Sequence, residues 1–125
     1  MLRVAVIDDE EPVRTALRRL LRSAGLDVET HASGADFLQA AAKNPPDCVV
    51  LDLHMPGMGG VEVLRRLRAL NPSMRVVVIT AHEEAATRDQ CLAAGAAAYL
   101  AKPLDDRLLL NAISAALAPA VQVRR

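Results

Sequence analysis

The sequence predicts an α/β domain built from five successive strand–helix units: a doubly wound (βα)5 fold with a mainly parallel sheet and helices on both faces. Three observations predict it. Short apolar runs of strand length alternate with longer stretches whose apolar residues recur at helical spacing. The run Val76-Val77-Val78-Ile79 is apolar without alternation, the pattern of a strand covered on both sides. Several runs stop abruptly on a carboxylate, hydroxyl or lysine, as strands do when they end at an open sheet edge.

The elements follow in order. Leu2 to Ile7 forms the first strand and stops at Asp8-Asp9. Pro12 suits the first turn of a helix carrying Val13, Ala16, Leu17, Leu20, Leu21 and Ala24, and Gly25 ends it. Residues 27–32 form a short second strand, and Ser33 caps a helix running to about residue 42. Asn44-Pro45-Pro46 breaks the chain before a third strand, Asp47 to Asp52. The loop 53–59 leads into a helix with Val61, Leu64 and Leu67 that ends at Asn71-Pro72. Met74 to Thr80 is the fourth strand, residues 84–94 a weaker helix stopped by Gly95, Ala97 to Ala101 the fifth strand and residues 105–118 the fifth helix. Residues 1–118 make one domain, and 119–125 a C-terminal tail or the start of a linker.

Composition bounds the function. A chain of 125 residues with 52% hydrophobic and 24% charged content buries one aliphatic core. The formal charge is zero, which argues against direct nucleic-acid binding by this domain. No apolar run approaches the roughly 18 residues of a membrane span, and structure begins at Leu2, so neither a membrane anchor nor a leader is expected. Cys48 and Cys91 sit in apolar contexts and read as free buried thiols in a reducing, cytoplasmic setting.

Asp52 is the most informative residue. It closes the apolar run Cys48-Val49-Val50-Leu51 and is followed by His54-Met55-Pro56-Gly57, so it stands at the mouth of the sheet. The other strands deliver Asp8 and Asp9, Thr80, and Lys102 followed by Pro103 to the same edge. Converging carboxylates repel unless a cation intervenes, and a hard divalent ion, Mg²⁺ or Mn²⁺, suits oxygen ligands. A lysine and a hydroxyl around a metal-bound carboxylate make a receptor for a phosphoryl group. Taken singly, Asp9 reads also as a helix cap, Thr80 as an ordinary strand end and Lys102 as a solvated lysine. Four of five strands ending in compatible groups is what favours a site.

At these residues the chain resembles the receiver domain of bacterial two-component response regulators over roughly residues 2–118. The resemblance rests on Val-Ile-Asp-Asp-Glu at 6–10, Leu-Asp-Leu-His-Met-Pro-Gly-Met-Gly-Gly at 51–60, Ile-Thr-Ala at 79–81, Ala-Gly-Ala at 94–96 and Tyr-Leu-Ala-Lys-Pro at 99–103. It implies a flavodoxin-like fold with strand order 2-1-3-4-5. It implies a signalling switch rather than an enzyme, one that assists its own phosphotransfer and dephosphorylation. Asp52 would accept a phosphoryl group from a sensor histidine kinase or a histidine phosphotransfer protein. Asp8 and Asp9, Asp52 and the backbone carbonyl of His54 would hold Mg²⁺, with Asp9 as direct ligand and Asp8 often acting through water. Lys102 would contact the phosphoryl oxygens, aimed by a cis bond to Pro103, and Thr80 and Tyr99 would form the switch pair.

The resemblance also implies that His54 and His82 flank the path of the hydrolytic water and set the lifetime of the phosphoryl group. Zinc is disfavoured there because no cysteine accompanies them. The helix at 84–94 is mostly Ala on its apolar side, hence weakly held. The fifth helix has a stripe of Leu108, Leu109, Ala112, Ile113 and Ala116, with Leu110 and Leu117 at its margin. Together with the fifth strand these form the expected output surface over 84–118, either for a phosphorylation-dependent homodimer or for an attached, transcriptional output domain. A stand-alone receiver acting through protein contacts or as a phosphorelay shuttle is the alternative. Arg14, Arg18 and Arg22, spaced by four, read as a solvated face or as a kinase-docking face. Two rivals fit less well: a haloacid-dehalogenase-type phosphatase needs a second Asp where His54 stands, and an FMN carrier needs a neutral phosphate loop where this chain has Asp-Asp-Glu-Glu.

Overall fold

A computed structural model describes residues 1–118, and residues 119–125 with the expected tail lie outside the described residues. The chain alternates strand and helix throughout: β1 (Arg3–Ile7), α1 (Glu11–Ser23), β2 (Asp27–His31), α2 (Gly34–Lys43), β3 (Cys48–Asp52), α3 (Gly60–Leu70), β4 (Arg75–Thr80), α4 (Ala85–Ala93), β5 (Ala98–Ala101) and α5 (Asp106–Leu117). All four strand pairings are parallel, in the order β2-β1-β3-β4-β5. This is the order expected.

The alternation of side chains along the strands sorts the core into two layers. Ala5, Ile7, Val49, Leu51, Val76 and Val78 face one side and are covered by α2 and α3 through Phe37, Val63, Leu64 and Leu67, and by Cys91 of α4. Val4, Val6, Cys48, Val50, Val77 and Ile79 face the other and are covered by α1 and α5 through Leu17, Leu21, Leu109 and Ile113. Burial of each large side chain stabilises the fold by about 1.5–3 kcal/mol. β3 lies at the centre with all five residues buried, which is why its sequence runs apolar until Asp52. Cys48 and Cys91 are free and buried, and burial pushes the Cys48 thiol up to about 12. At the start of α2 the Ser33 hydroxyl accepts a hydrogen bond from the Asp36 amide at 3.2 Å, as its position predicts.

Of the last two helices, α4 faces the core as expected and α5 does not. α4 buries only Cys91 completely, in line with its weak apolar side. On α5 the buried stripe is Leu109, Ile113 and Ala116. Leu108, expected in the stripe, is 57% exposed, while Leu110 and Leu117, expected at the margin, pack partly against the α1 layer. The stripe is rotated toward α1 because Leu2, Ala24 and Leu26 line the groove along that flank of the helix.

The loop after β3 is held by close packing. Gly57 takes φ +79°, a left-handed conformation that glycine adopts without cost. At Gly60 an added Cβ would stand 2.6 Å from the Leu53 Cα and 2.8 Å from the Asp52 carbonyl oxygen. At Gly59 the nearest atom would be at 4.0 Å. Gly60→Ala is therefore expected to cost roughly 1–3 kcal/mol and Gly59→Ala much less. Urea denaturation checks this, and equal costs at the two positions would contradict the packing described.

Candidate functional site

Because every strand runs the same way, the residues that close or follow β1, β3, β4 and β5 arrive at one edge. Asp52 ends β3 in register with Ile79, so Thr80 stands one step further along β4. The Lys102 amide donates to the Thr80 carbonyl at 2.7 Å, which brings the end of β5 alongside. The Lys102–Pro103 peptide bond is cis.

Asp8 is wholly buried and satisfied at all four polar positions. Its amide donates to the His31 carbonyl at 3.1 Å, and its carbonyl accepts from Arg14 Nη1 at 2.8 Å. Its Oδ1 accepts from the Glu10 amide at 2.9 Å, and its Oδ2 from Lys102 Nζ at 2.9 Å. Asp9, next in sequence, is exposed. It does not cap α1: the N-cap is Glu10, and that cap has no side-chain hydrogen bond. The reading of Asp9 as a helix cap is thereby set aside.

The Asp52 carboxylate is 3% exposed and accepts from the His54 amide at 3.3 Å. Burial, reinforced by the charges of Asp8 and Asp9, pushes it up to about 6, against the opposing pull of Lys102 and the His54 amide. Lys102 makes its shortest contact with Asp8, at 2.9 Å. It lies 3.4 Å from Glu10 Oε1 and 3.6 Å from Asp52 Oδ1. Burial works against its charge, yet the hydrogen bond it donates to Asp8 and the charges of Asp52 and Asp8 outweigh that and raise its pKa.

One carboxylate oxygen from each of Asp8, Asp9 and Asp52 lies within 4.8 Å of the others. The donor set is all oxygen, two members are buried, and the exposed one opens to solvent. That suits a hard divalent cation keeping part of its water shell, and suits zinc poorly. The carbonyl of His54 follows two residues after Asp52 on the same loop. Thr80 is buried, and its hydroxyl both donates to the His82 carbonyl and accepts from the His82 amide, each at 3.1 Å. Tyr99 is 9% exposed, packs in the α2–α3–α4 layer, and its buried hydroxyl has no partner among the described residues. His54 and His82 are exposed beside the mouth with their rings edge to face, centroids 5.2 Å apart.

Sequence reasoning missed three contacts. Glu10 reaches Lys102, and of the arginines spaced by four on α1, Arg14 and Arg18 are half-buried and bonded. Arg14 bonds the Asp8 carbonyl, and Arg18 Nη2 donates to Thr30 Oγ1 at 2.7 Å. A spacing of four showed a common helix face, but not that the face lies over the ends of β1 and β2. Beside it a groove of about 310 Å³ runs between Pro12, Val13, Ala16 and Leu20 of α1 and Pro103 and Leu104.

A parallel sheet in the order β2-β1-β3-β4-β5 with helices on both faces places the chain in the flavodoxin-like class of doubly wound α/β domains. The chain belongs to the response regulator receiver domain family, which matches residues 4–114. It is 41% identical to the transcriptional regulatory protein FixJ of Azorhizobium caulinodans over 116 residues, covering 93% of this chain and 55% of that protein. Among solved structures, a receiver domain protein of Clostridium thermocellum superposes with a TM-score of 0.89 at 30% identity, covering 94% of each chain. A receiver protein of Burkholderia phymatum superposes with a TM-score of 0.82 at 46% identity, covering 94% of this chain and 95% of that one. The chain spans about half the length of the transcriptional regulators it matches. As a receiver domain of a two-component system it is a signalling switch. Among the described residues no helix is long and apolar enough to cross a membrane.

The charge at Asp52 predicts a pH dependence in the presence of chelator. Below the usual carboxylate value of 3.8 the folded and unfolded chains both carry Asp52 protonated. As pH rises the unfolded chain releases its proton first, so the fold loses stability across the window from 3.8 to about 6. Asp52→Asn should abolish this loss and stabilise the metal-free chain at neutral pH by on the order of 1–3 kcal/mol. Urea denaturation across that window checks it. A stability difference between the two proteins that does not grow with pH would contradict the charge balance described.

Proposed function

We propose that Asp52 is the phosphoacceptor of this receiver domain, taking a phosphoryl group from the phosphohistidine of a sensor histidine kinase or a histidine phosphotransfer protein. The observation that carries the reading is the crowding of Asp8, Asp9 and Asp52 around one point with Lys102 at its side. An Asp52 oxygen attacks phosphorus as the nitrogen–phosphorus bond breaks, leaving an acyl phosphate and a ring nitrogen that takes up a proton from water to give neutral imidazole. A Mg²⁺ or Mn²⁺ ion held by Asp8, Asp9, Asp52 and the His54 carbonyl would supply charge neutralisation for the incoming oxygens. Lys102, held between Asp8 and Asp52, is positioned to turn to a phosphoryl oxygen. The domain thus assists its own phosphorylation and hydrolysis without being an enzyme in its own right.

The readout is proposed to pass through Thr80 and Tyr99. Thr80 spends its hydroxyl on the His82 backbone, bonds it must give up to reach a phosphoryl group. Movement of Thr80 and His82 pulls on the start of α4, which has little buried surface to resist. Leu92 at 40% and Leu108 at 57% exposure supply apolar area on α4 and α5 for a homodimer or output contact. The greater length of the matching transcriptional regulators supports an output domain following residues 1–118 over a stand-alone receiver. The apolar groove beside α1 supports that flank as the kinase-docking face. His54 and His82, edge to face beside the mouth, are proposed to govern water entry and the phosphoryl lifetime.

Incubation with acetyl phosphate and Mg²⁺ should give a single phosphoryl adduct by mass spectrometry, lost with chelator and absent in Asp52→Asn. An adduct that survives Asp52→Asn would overturn the assignment. Once the adduct is formed, His54→Ala and His82→Ala should each change its half-life. Half-lives equal to the parent protein's would remove the two histidines from the account.

A further inference from the structure

Asp8 and Asp9 are neighbours in sequence with opposite fates. Asp8 is buried and Asp9 exposed, yet an oxygen of each reaches the same 4.8 Å cluster with Asp52. Both carboxylates can point there only if the peptide unit between them keeps one orientation. That unit is a rigid plane free to turn about two soft dihedrals, so something must hold it. Its oxygen is the carbonyl of Asp8, and the group that holds it is the guanidinium of Arg14, Nη1 at 2.8 Å.

We propose that Arg14 is a positioning residue for the cation site. It acts through the Asp8 carbonyl to fix the bend that brings the Asp8 and Asp9 carboxylates together. The proposal rests on the reading of Asp8, Asp9 and Asp52 as that site. Arg14 is well placed for the task. It lies in the first turns of α1, its amide donates to the Glu10 carbonyl at 3.1 Å, and its side chain is half-buried. The bend is thus tied from both sides: the Glu10 amide holds the Asp8 side chain, and Arg14 holds the Asp8 main chain. A charged donor makes the stronger kind of hydrogen bond to a carbonyl, and the reach from helix to strand end uses the full length of an arginine.

Arg18 provides the contrast. It stands one turn further along the same face and also reaches back from α1 to the sheet, but it ends on the Thr30 hydroxyl of β2 and touches none of the acidic residues. Loss of Arg18 removes a helix-to-sheet tie of the same kind without touching the bend.

Calorimetric titration of this chain with MgCl2, paired with thermal unfolding, separates the two roles. Arg14→Leu is expected to weaken Mg²⁺ binding by about tenfold, the scale on which groups behind metal ligands act. Arg18→Leu is expected to lower the unfolding temperature comparably and leave the Mg²⁺ affinity unchanged. Arg14→Gln, too short to reach the Asp8 carbonyl, should match Arg14→Leu and carries the comparison if the leucine variant does not fold. Unchanged affinity in the Arg14 variants, or an equal loss in Arg18→Leu, would overturn the proposal. If the parent protein itself binds no Mg²⁺, the cation site falls and the role of Arg14 with it; binding by the parent with no effect at Arg14 removes Arg14 alone.

Discussion

Three carboxylates share the end of a parallel sheet, and Lys102 is the lysine set among them. Asp8 is wholly buried and Asp52 nearly so, and burial deprives both of the water that would spread their charge. Asp8 escapes the cost by filling every hydrogen-bonding position it has. Asp52 does not: it has one long bond from the His54 amide and a distant lysine, and its proton affinity rises to about 6. The site is thus electrostatically unfinished. The fold supplies the excess negative charge, which a cation held by the three carboxylates would offset.

The sheet is what makes such an arrangement possible. Parallel strands covered on both faces leave their ends for polar side chains from distant parts of the chain to meet, and the carboxyl ends are where this site forms. The same architecture couples the site to its surroundings. β4 carries Thr80 at its tip, and the residues after it lead directly into α4. That helix is anchored by Cys91 and little else, whereas α1, α3 and α5 are anchored by leucine, isoleucine and valine. Under the proposed function, charge placed on Asp52 would act on an element with little buried surface to resist it. Arg14 makes a contact of the opposite kind: it ties the Asp8 carbonyl to α1, the contact behind its proposed positioning role.

The fold was legible because its signals are local. Strand and helix periods, the Ser33 cap and the glycine stops each follow from residues within one turn or one strand, and parallel pairing follows from their alternation. The site residues were legible for a related reason: strand ends are visible as places where an apolar run halts on Asp8, Asp52, Thr80 or Lys102. What stayed hidden depends on relative placement of elements. Which carboxylate holds Lys102 is decided by fractions of an ångström between β1, β3 and β5. That Arg14 and Arg18 face the sheet ends depends on the rotation of α1, and that Leu108 rather than Leu110 is exposed depends on the rotation of α5 against α1.

The most direct test of the unfinished charge at Asp52 is the titration of its side-chain carboxyl carbon by ¹³C NMR with and without Mg²⁺. The account predicts a midpoint near 6 in chelator and a large downward shift when Mg²⁺ is present. An Asp52 carboxyl that titrates in the ordinary carboxylate range in chelator, and does not respond to Mg²⁺, would contradict it.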